Sequence, residues 1–313
     1  MKIIKGLNNY QEKKQCFLTI GTFDGVHIGH QKIIKALVEE AHSKKLLAVV
    51  LTFFPHPRIV LQKKDTVKLI DTIDEKKSIL EALKVDVLVI HPFSKSFSRL
   101  SSIEFTGDIL VGVLKIQKLF IGFDHRFGKN REASINDLIE YGNRFNFKLK
   151  KFEAESLEMV NISSTKIRNS LLDGNIKLTN KFLGRLFNLN GTIIMGDGLG
   201  RKIGFPTANI SVKETYKILP KNGVYFVHSF IERKKIFGMM NIGIRPTVDG
   251  KNKSIEVHFF NFNKILYTKK INVFFHLKIR DEIKFNSIKE LKIQLKKDKI
   301  TCIELTKKNN LEI

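Results

Sequence analysis

The rhythm of apolar and polar positions changes once along this chain, near Leu183, and the change separates two kinds of structure. Before it, nearly unbroken apolar runs at Phe17–Ile20, Leu46–Phe53, Val85–Ile90 and Lys118–Gly122 predict strands covered on both faces. Between them, Gln31–Lys44 carries Ile33, Ile34, Leu37, Val38 and Ala41 at helical spacing. Asp74–Leu83, Ser102–Leu114 and Ser134–Phe145 also read as helices. Covered strands alternating with helices imply an α/β unit with a parallel sheet, whose ligands bind beyond the carboxyl ends of the strands. Past Leu183 the runs shorten to Gly191–Met195, Gly223–Phe230, Ile236–Ile242, Ser254–Phe260 and Ile271–Lys278, with Gly, Pro and Asn between them. That pattern predicts an antiparallel β-barrel. A terminal helix is expected over Ser287–Asp298, where Ser287 and Glu290 make a capping-box pair and Ile288, Leu291 and Leu295 would be buried. The change of pattern gives domains at 1–183 and 184–313, the boundary falling within 176–188.

Length and composition narrow the class without naming a function. A chain of 313 residues suits two cores better than one. The N-terminus lacks the apolar run of a signal peptide, and no stretch approaches the roughly 18 uncharged apolar residues of a membrane helix. Cys16 and Cys302 form neither a metal-ligand spacing nor a disulfide framework. A cytoplasmic enzyme without membrane contact is the expectation. The net charge of +24 invites a nucleic-acid reading. However, most of the excess is Lys, spread along the whole chain, in a sequence rich in Phe and lacking Trp. A compositional drift explains that distribution, and no nucleic-acid partner is expected.

The densest chemical signal is GTFDGVHIGH, Gly21–His30, between a strand and a helix. Backbone N–H groups at such a junction face an anion, and Gly21, Gly25 and Gly29 allow close approach of phosphates. His27 and His30 lie three apart and project to one side. Nucleotidyl transfer to a phosphate oxygen needs donors for the charge that moves onto the leaving pyrophosphate, and two imidazoles supply them. ISSTKIR, Ile162–Arg168, offers Ser163, Ser164 or Thr165 as a helix cap and places Lys166 and Arg168 beyond it.

In the second half, GDGLGRKIGFPTANI spans Gly196–Ile210 and lacks the GxxxxGK[ST] of a P-loop. Its glycines suggest a flexible loop that wraps phosphates. On an extended segment Thr207 and Asn209 share a face and offer hard oxygen donors suited to Mg²⁺.

These motifs, with TFFPHP at Thr52–Pro57, GFDHRFGKNRE at Gly122–Glu132, NGVY at Asn222–Tyr225, NIGIRPT at Asn241–Thr247, IEVHFF at Ile255–Phe260 and IRDEIKF at Ile279–Phe285, stand in the order found in bacterial bifunctional riboflavin kinase/FMN adenylyltransferases, which the chain resembles over about residues 16 to 298. The resemblance implies a Rossmann-like nucleotidyltransferase domain followed by a barrel kinase domain. Riboflavin, FMN, FAD and ATP would be substrates and products, with Mg²⁺ as cofactor. His27 and His30 would act on the ATP phosphates, with Gly21, Phe23, Asp24 and Gly29 of the same loop and with Ser164, Thr165 and Arg168 as a clamp. Asp124 and Phe127 match the segment that holds the flavin. Gly198, Arg201 and Gly204 would contact nucleotide in the kinase, Thr207 and Asn209 its metal, and Glu256 would be its catalytic base. Two positions depart from the family pattern: Ala133–Ser134 and Thr268 replace glycines that serve turns rather than chemistry. The literal HIGH of His27–His30 also fits a class I aminoacyl-tRNA synthetase, but GFPTAN and EVH have no place there.

Overall fold

The structure is a computed structural model that describes residues 1–62, 67–122, 127–129, 132–153, 162–247 and 250–308. They fall into two compact units, Met1–Ser164 and Thr165–Ile313. The first contains, in order, β1 (Lys2–Lys5), β2 (Cys16–Ile20), α1 (Ile28–Ser43), β3 (Leu47–Phe53), α2 (Pro57–Gln62), α3 (Ile73–Ala82), β4 (Val87–His91), α4 (Ser102–Glu104, continuing in wider π-helical turns over Phe105–Val113), β5 (Ile116–Gly122), α5 (Ile135–Phe145) and β6 (Lys148–Phe152). Its six strands lie in the order β1-β4-β3-β2-β5-β6, and every neighbouring pair is parallel. The order runs outward from β2 in both directions, so successive crossovers diverge between β2 and β5. A crevice opens at the carboxyl ends of two such strands, and the Gly21–His27 loop leaves β2 there.

Strand alternation splits the core between the two sheet faces. Leu18, Ile20, Val49, Leu51, Leu119 and Ile121 pack with Phe105 and Leu110 of α4, Leu114 just after it and Leu138 of α5. On the other face Phe17, Ala48, Val50, Leu88 and Phe120 pack with Ile33, Ile34, Leu37, Val38 and Ala41 of α1 and with Leu80 of α3. The expected covered parallel sheet is therefore present. The two edge strands, KIIK at β1 and KLKKF at β6, carry lysines on exposed or partly buried positions and so lack the continuous apolar signature of the central strands.

The second unit takes up α6 (Ser164–Leu172) after its first residue. It continues with α7 (Ile176–Leu183), β7 (Phe187–Ile194), α8 (Leu199–Lys202), β8 (Ala208–Ser211), β9 (Gly223–Ile231), β10 (Lys234–Thr247), β11 (Gly250–Phe259), β12 (Lys270–Arg280) and α9 (Ile288–Lys308). Its strands close a barrel in the order β10-β11-β8-β7-β12-β9, all antiparallel. Helix α7 is tied to the barrel through Asn180, whose amide accepts from Phe187 N at 2.7 Å and donates to the Phe275 carbonyl at 2.9 Å. Ser287 caps α9 as expected, its Oγ accepting from Glu290 N at 3.2 Å, but the Glu290 carboxylate accepts from Asn286 N at 3.1 Å rather than from Ser287 N. The helix it opens runs ten residues further than expected, to Lys308. Ile288 is 59% exposed, because the barrel is met only from the next turn onward. Leu291, Leu295 and Leu305 pack there against Phe205, Phe226, Phe237, Phe260 and Cys302. Arg280 at the end of β12 grips the buried Asp298 of α9 through Nε (3.0 and 3.1 Å) and Nη2 (2.8 Å).

Candidate active sites

In the first unit the Gly21–His30 segment packs tightly at the carboxyl end of β2. Phe23 (φ 45°) and Val26 (φ 35°) are buried in left-handed backbone beside Gly25 (φ 86°). Strained non-glycine residues of this kind persist where surrounding packing over-determines them, and they gather at ligand-binding loops. A Cβ on Gly25 would stand 2.9 Å from Ile70 Cδ1, so this glycine is fixed by both its angle and its neighbour. His27 is the N-cap residue of α1, with extended backbone. Its ring stacks on that of His30 with centroids 3.7 Å apart and planes 20° apart. The Phe23 ring meets His30 edge-on at 5.2 Å. Burial, then the neighbouring His27, then Lys76 hold the His30 pKa well below the ordinary histidine value, so its imidazole is neutral at pH 7. A neutral imidazole still donates one N–H, and His30 Nδ1 is buried without a hydrogen-bond partner. Asp24 faces inward and accepts from Ile70 N at 2.8 Å.

The ISSTKIR segment meets this loop through Ser164, whose hydroxyl donates to the Asp24 carbonyl at 2.8 Å. Ser164 opens α6, and Thr165 and Arg168 follow it within that helix in the second unit. The Phe127 ring lies 6.0 Å from that of Phe105, tilted by 50°, and its backbone bridges to Ala133. It extends a run of rings, Phe53, Phe97 and Phe105, beyond β3 and β4. Sequence reading missed this run because its members are far apart in the chain: Phe53 ends β3, Phe105 lies in α4, and Phe97 and Phe127 lie between the named elements. Asp124 lies outside the described residues. At the first family departure, Ala133 is buried and Ser134 caps α5 in a capping box with Asp137, so both residues have structural employment.

The second site is a cavity of about 380 Å³ in the barrel unit. Glu256 of β11 is paired with Asn209 of β8 on one side and with Asn241 of β10 on the other. All three line the cavity, as does Thr207, which donates from Oγ1 to Glu256 Oε2 at 3.3 Å. The expected trio Glu256, Thr207 and Asn209 is therefore brought together. Gly198 also lines the cavity, whereas Arg201 and Gly204 do not. The glycine-rich stretch is not a purely open loop: Leu199–Lys202 forms a short helix behind Gly198 (φ 73°). The stretch is glycine-rich for a second reason. A Cβ on Gly200 would lie 2.4 Å from the Phe205 carbonyl oxygen and 3.2 Å from Thr207 Oγ1, so its absence lets the turn pack onto the segment that presents Thr207.

Beyond Asp197 of the glycine-rich stretch, four further polar residues line the cavity and were not singled out from sequence: Asn241, His258, Arg280 and Glu282. His258 is fixed by its Nδ1, 2.9 Å from the Pro206 carbonyl, and burial lowers its pKa. The signal for them was available, since each falls in a motif, NIGIRPT, IEVHFF or IRDEIKF, that was used only for its resemblance. Among the described residues no cluster of three or more His, Cys, Asp or Glu side chains could hold a metal. The candidate oxygen donors are instead the hydroxyl of Thr207 and the amide of Asn209, which suit a hard ion shared with phosphate. No helix among the described residues is long and apolar enough to cross a membrane.

Comparison with known proteins agrees with this division. A family model described as FAD synthetase matches residues 9–166, and one described as riboflavin kinase matches residues 183–306. The bifunctional riboflavin kinase/FMN adenylyltransferase of Buchnera aphidicola is 41% identical, with 98% of each chain covered. That of Escherichia coli is 36% identical, with 97% of each chain covered. A Streptococcus pneumoniae crystal structure, described as a macrolide-efflux protein, superposes with a TM-score of 0.87 at 30% identity, covering 96% of this chain and 99% of that one. With both family models matched in order and such relatives aligned end to end, the chain belongs to the bifunctional riboflavin kinase/FMN adenylyltransferase family.

Proposed function

We propose that the two activities of this flavin-biosynthesis enzyme are divided between its units, with adenylyl transfer at the Gly21–His30 loop and riboflavin phosphorylation in the barrel cavity. The enzyme transfers the γ-phosphoryl group of ATP to riboflavin, giving FMN, and then an adenylyl group from ATP to FMN, giving FAD and pyrophosphate. The observation that carries the division is the convergence of Glu256, Thr207 and Asn209 in one cavity. The riboflavin hydroxyl is a poor nucleophile, and the Glu256 carboxylate takes its proton as it attacks the γ-phosphorus. Mg²⁺ held by Thr207 and Asn209 would neutralise charge on the phosphate oxygens. In adenylyl transfer the nucleophile is the FMN phosphate, which is already anionic at neutral pH. No base is needed there, and the stacked His27–His30 pair supplies N–H groups for the charge that develops on pyrophosphate. Phe127, at the end of its run of rings, offers an apolar face for the flavin.

The functional modules proposed are 1–183 and 184–313, a reading supported by the start of the riboflavin kinase match at residue 183. The enzyme works in the cytoplasm on small molecules, with neither nucleic acid nor membrane as partner. The test is incubation of purified protein with riboflavin, ATP and Mg²⁺, with riboflavin, FMN and FAD separated over time. FMN should appear first and FAD after it. Omission of Mg²⁺ should stop the first step, and Asn209→Ala should alter the Mg²⁺ requirement of that step alone.

A further inference from the structure

Beneath the histidine loop lies a buried cation that the proposed mechanism leaves without a role. Lys76 sits in the first turn of α3 and is only 4% exposed. Two features make its position costly. A helix N-terminus favours negative charge, and burial works against any ammonium. Local choices that break such rules gather at functional sites. The Thr72–Glu75 capping box already satisfies the start of this helix, so Lys76 is not needed as a cap.

Its contacts lead instead to the nucleotide loop. Lys76 Nζ donates to the Thr22 carbonyl at 2.6 Å, and the same carbonyl accepts from Thr52 Oγ1 at 3.3 Å. Asp24 and Asp71, each 2% exposed, are the carboxylates that favour its charge against the effect of burial. Because a trans peptide is planar, a Thr22 carbonyl pinned by two donors also fixes the Phe23 N–H, which points opposite to that carbonyl. The charges that act on His30 are those of His27, its stacking partner in the same loop, and Lys76 from α3. Asp24 and Asp71 act on Lys76 in turn.

We propose that Lys76 is a positioning residue for adenylyl transfer: it fixes the Thr22–Phe23 peptide with its N–H toward the triphosphate and offsets the buried carboxylates of Asp24 and Asp71, which would otherwise repel it. The proposal rests on the assignment of adenylyl transfer to the Gly21–His30 loop. Lys76 need not touch the nucleotide, and it acts through the loop above it.

The experiment uses the full chain with Lys76→Gln, which keeps a donor but loses the charge, Lys76→Arg, which keeps the charge, and His30→Ala as a reference. FMN-to-FAD conversion is followed from pH 5.5 to 9, with riboflavin phosphorylation measured on each preparation as an internal control and thermal melting as a measure of folding. Lys76→Gln should cut kcat/KM for ATP in adenylyl transfer by about 10²-fold, the size expected for losing one preorganised electrostatic contribution. Its pH–rate inflection should move to higher pH, since removing a positive neighbour raises the His30 pKa. Lys76→Arg should recover most of the rate and keep the wild-type inflection, and phosphorylation should be unchanged in both. If His30→Ala abolishes FAD formation while Lys76→Gln stays within three-fold of wild type with an unmoved inflection, Lys76 has no positioning role. Normal FAD formation by His30→Ala would refute the site assignment and the inference with it. Loss of adenylyl transfer only in step with loss of the folded first unit, in both Lys76 variants, would assign Lys76 to the fold alone and overturn the proposal.

Discussion

The two segments proposed to handle phosphate are built in opposite ways. The Gly21–His30 loop is buried and strained, with Phe23 and Val26 in left-handed backbone, and charged groups lie beneath it. The Gly196–Ile210 segment is exposed over much of its length and uses missing side chains, above all at Gly200, to pack against itself. The proposed assignment accounts for the difference. Adenylyl transfer to a phosphate nucleophile asks only for fixed dipoles and charges, so rigidity and burial serve it. Phosphorylation of an alcohol asks for a base, the role proposed for Glu256, which stands in the barrel between Asn209 and Asn241. In the first loop the nearby carboxylate, Asp24, is turned inward onto the Ile70 N–H.

The largest effect expected from breaking this contrast is at Glu256. Glu256→Gln keeps the size and one acceptor oxygen but loses the base, and riboflavin phosphorylation should fall by about 10²–10⁴-fold. Riboflavin and ATP should still bind, as equilibrium titration would read. Next comes the double substitution His27→Ala with His30→Ala, which should cut FAD formation from FMN by about 10²-fold or more. Steady-state rates with FMN supplied directly would measure it.

A smaller effect sharpens the contrast between the histidines of the two units. His228 and His276 of the barrel share a 2.8 Å contact between Nδ1 and Nε2 and lie among Phe226, Phe237 and Phe274. Burial is the main cause that lowers their pKa values, to about 3 and about 4. An unfolded chain would take up these protons near pH 6.5, whereas the folded barrel resists until far lower. Stability from this pair is therefore present above about pH 6.5 and lost as pH falls toward 4. The loss of kinase activity on heating should shift to lower temperature across that window, and His228→Phe should flatten the trend. The smallest effect is at Thr268, a β-branched residue held at φ 65°. Thr268→Gly should stabilise the barrel by about 0.5–1 kcal/mol, the backbone strain relieved being partly offset by greater freedom of the unfolded chain. Chemical denaturation would detect it.

Much of this was legible in the sequence, for physical reasons. The central strands β2 to β5 are apolar on both faces, and α1 shows helical spacing because one side alone meets the sheet. Edge strands β1 and β6 were hidden by their lysines, and β8 by its four-residue length. Motif residues that are local in sequence, such as His27 with His30 or Thr207 with Asn209, could be paired by spacing. Lys76 could not, because the contact that gives it meaning crosses 54 residues to Thr22. Arg280 and Asp298 escaped notice similarly, being joined only where α9 folds back on the barrel. The Gly200 turn was read as flexibility because sequence shows that a side chain is missing but not what fills the space.

The division of labour itself is tested most directly by a crossed assay. Riboflavin-to-FMN and FMN-to-FAD rates are measured separately on Glu256→Gln and on His27→Ala/His30→Ala, with the melting temperature of each preparation. The account predicts that the first variant loses phosphorylation and keeps adenylyl transfer, that the second does the reverse, and that both melt as wild type does. Loss of both reactions in either folded variant, or retention of phosphorylation by Glu256→Gln within a few-fold of wild type, would contradict it.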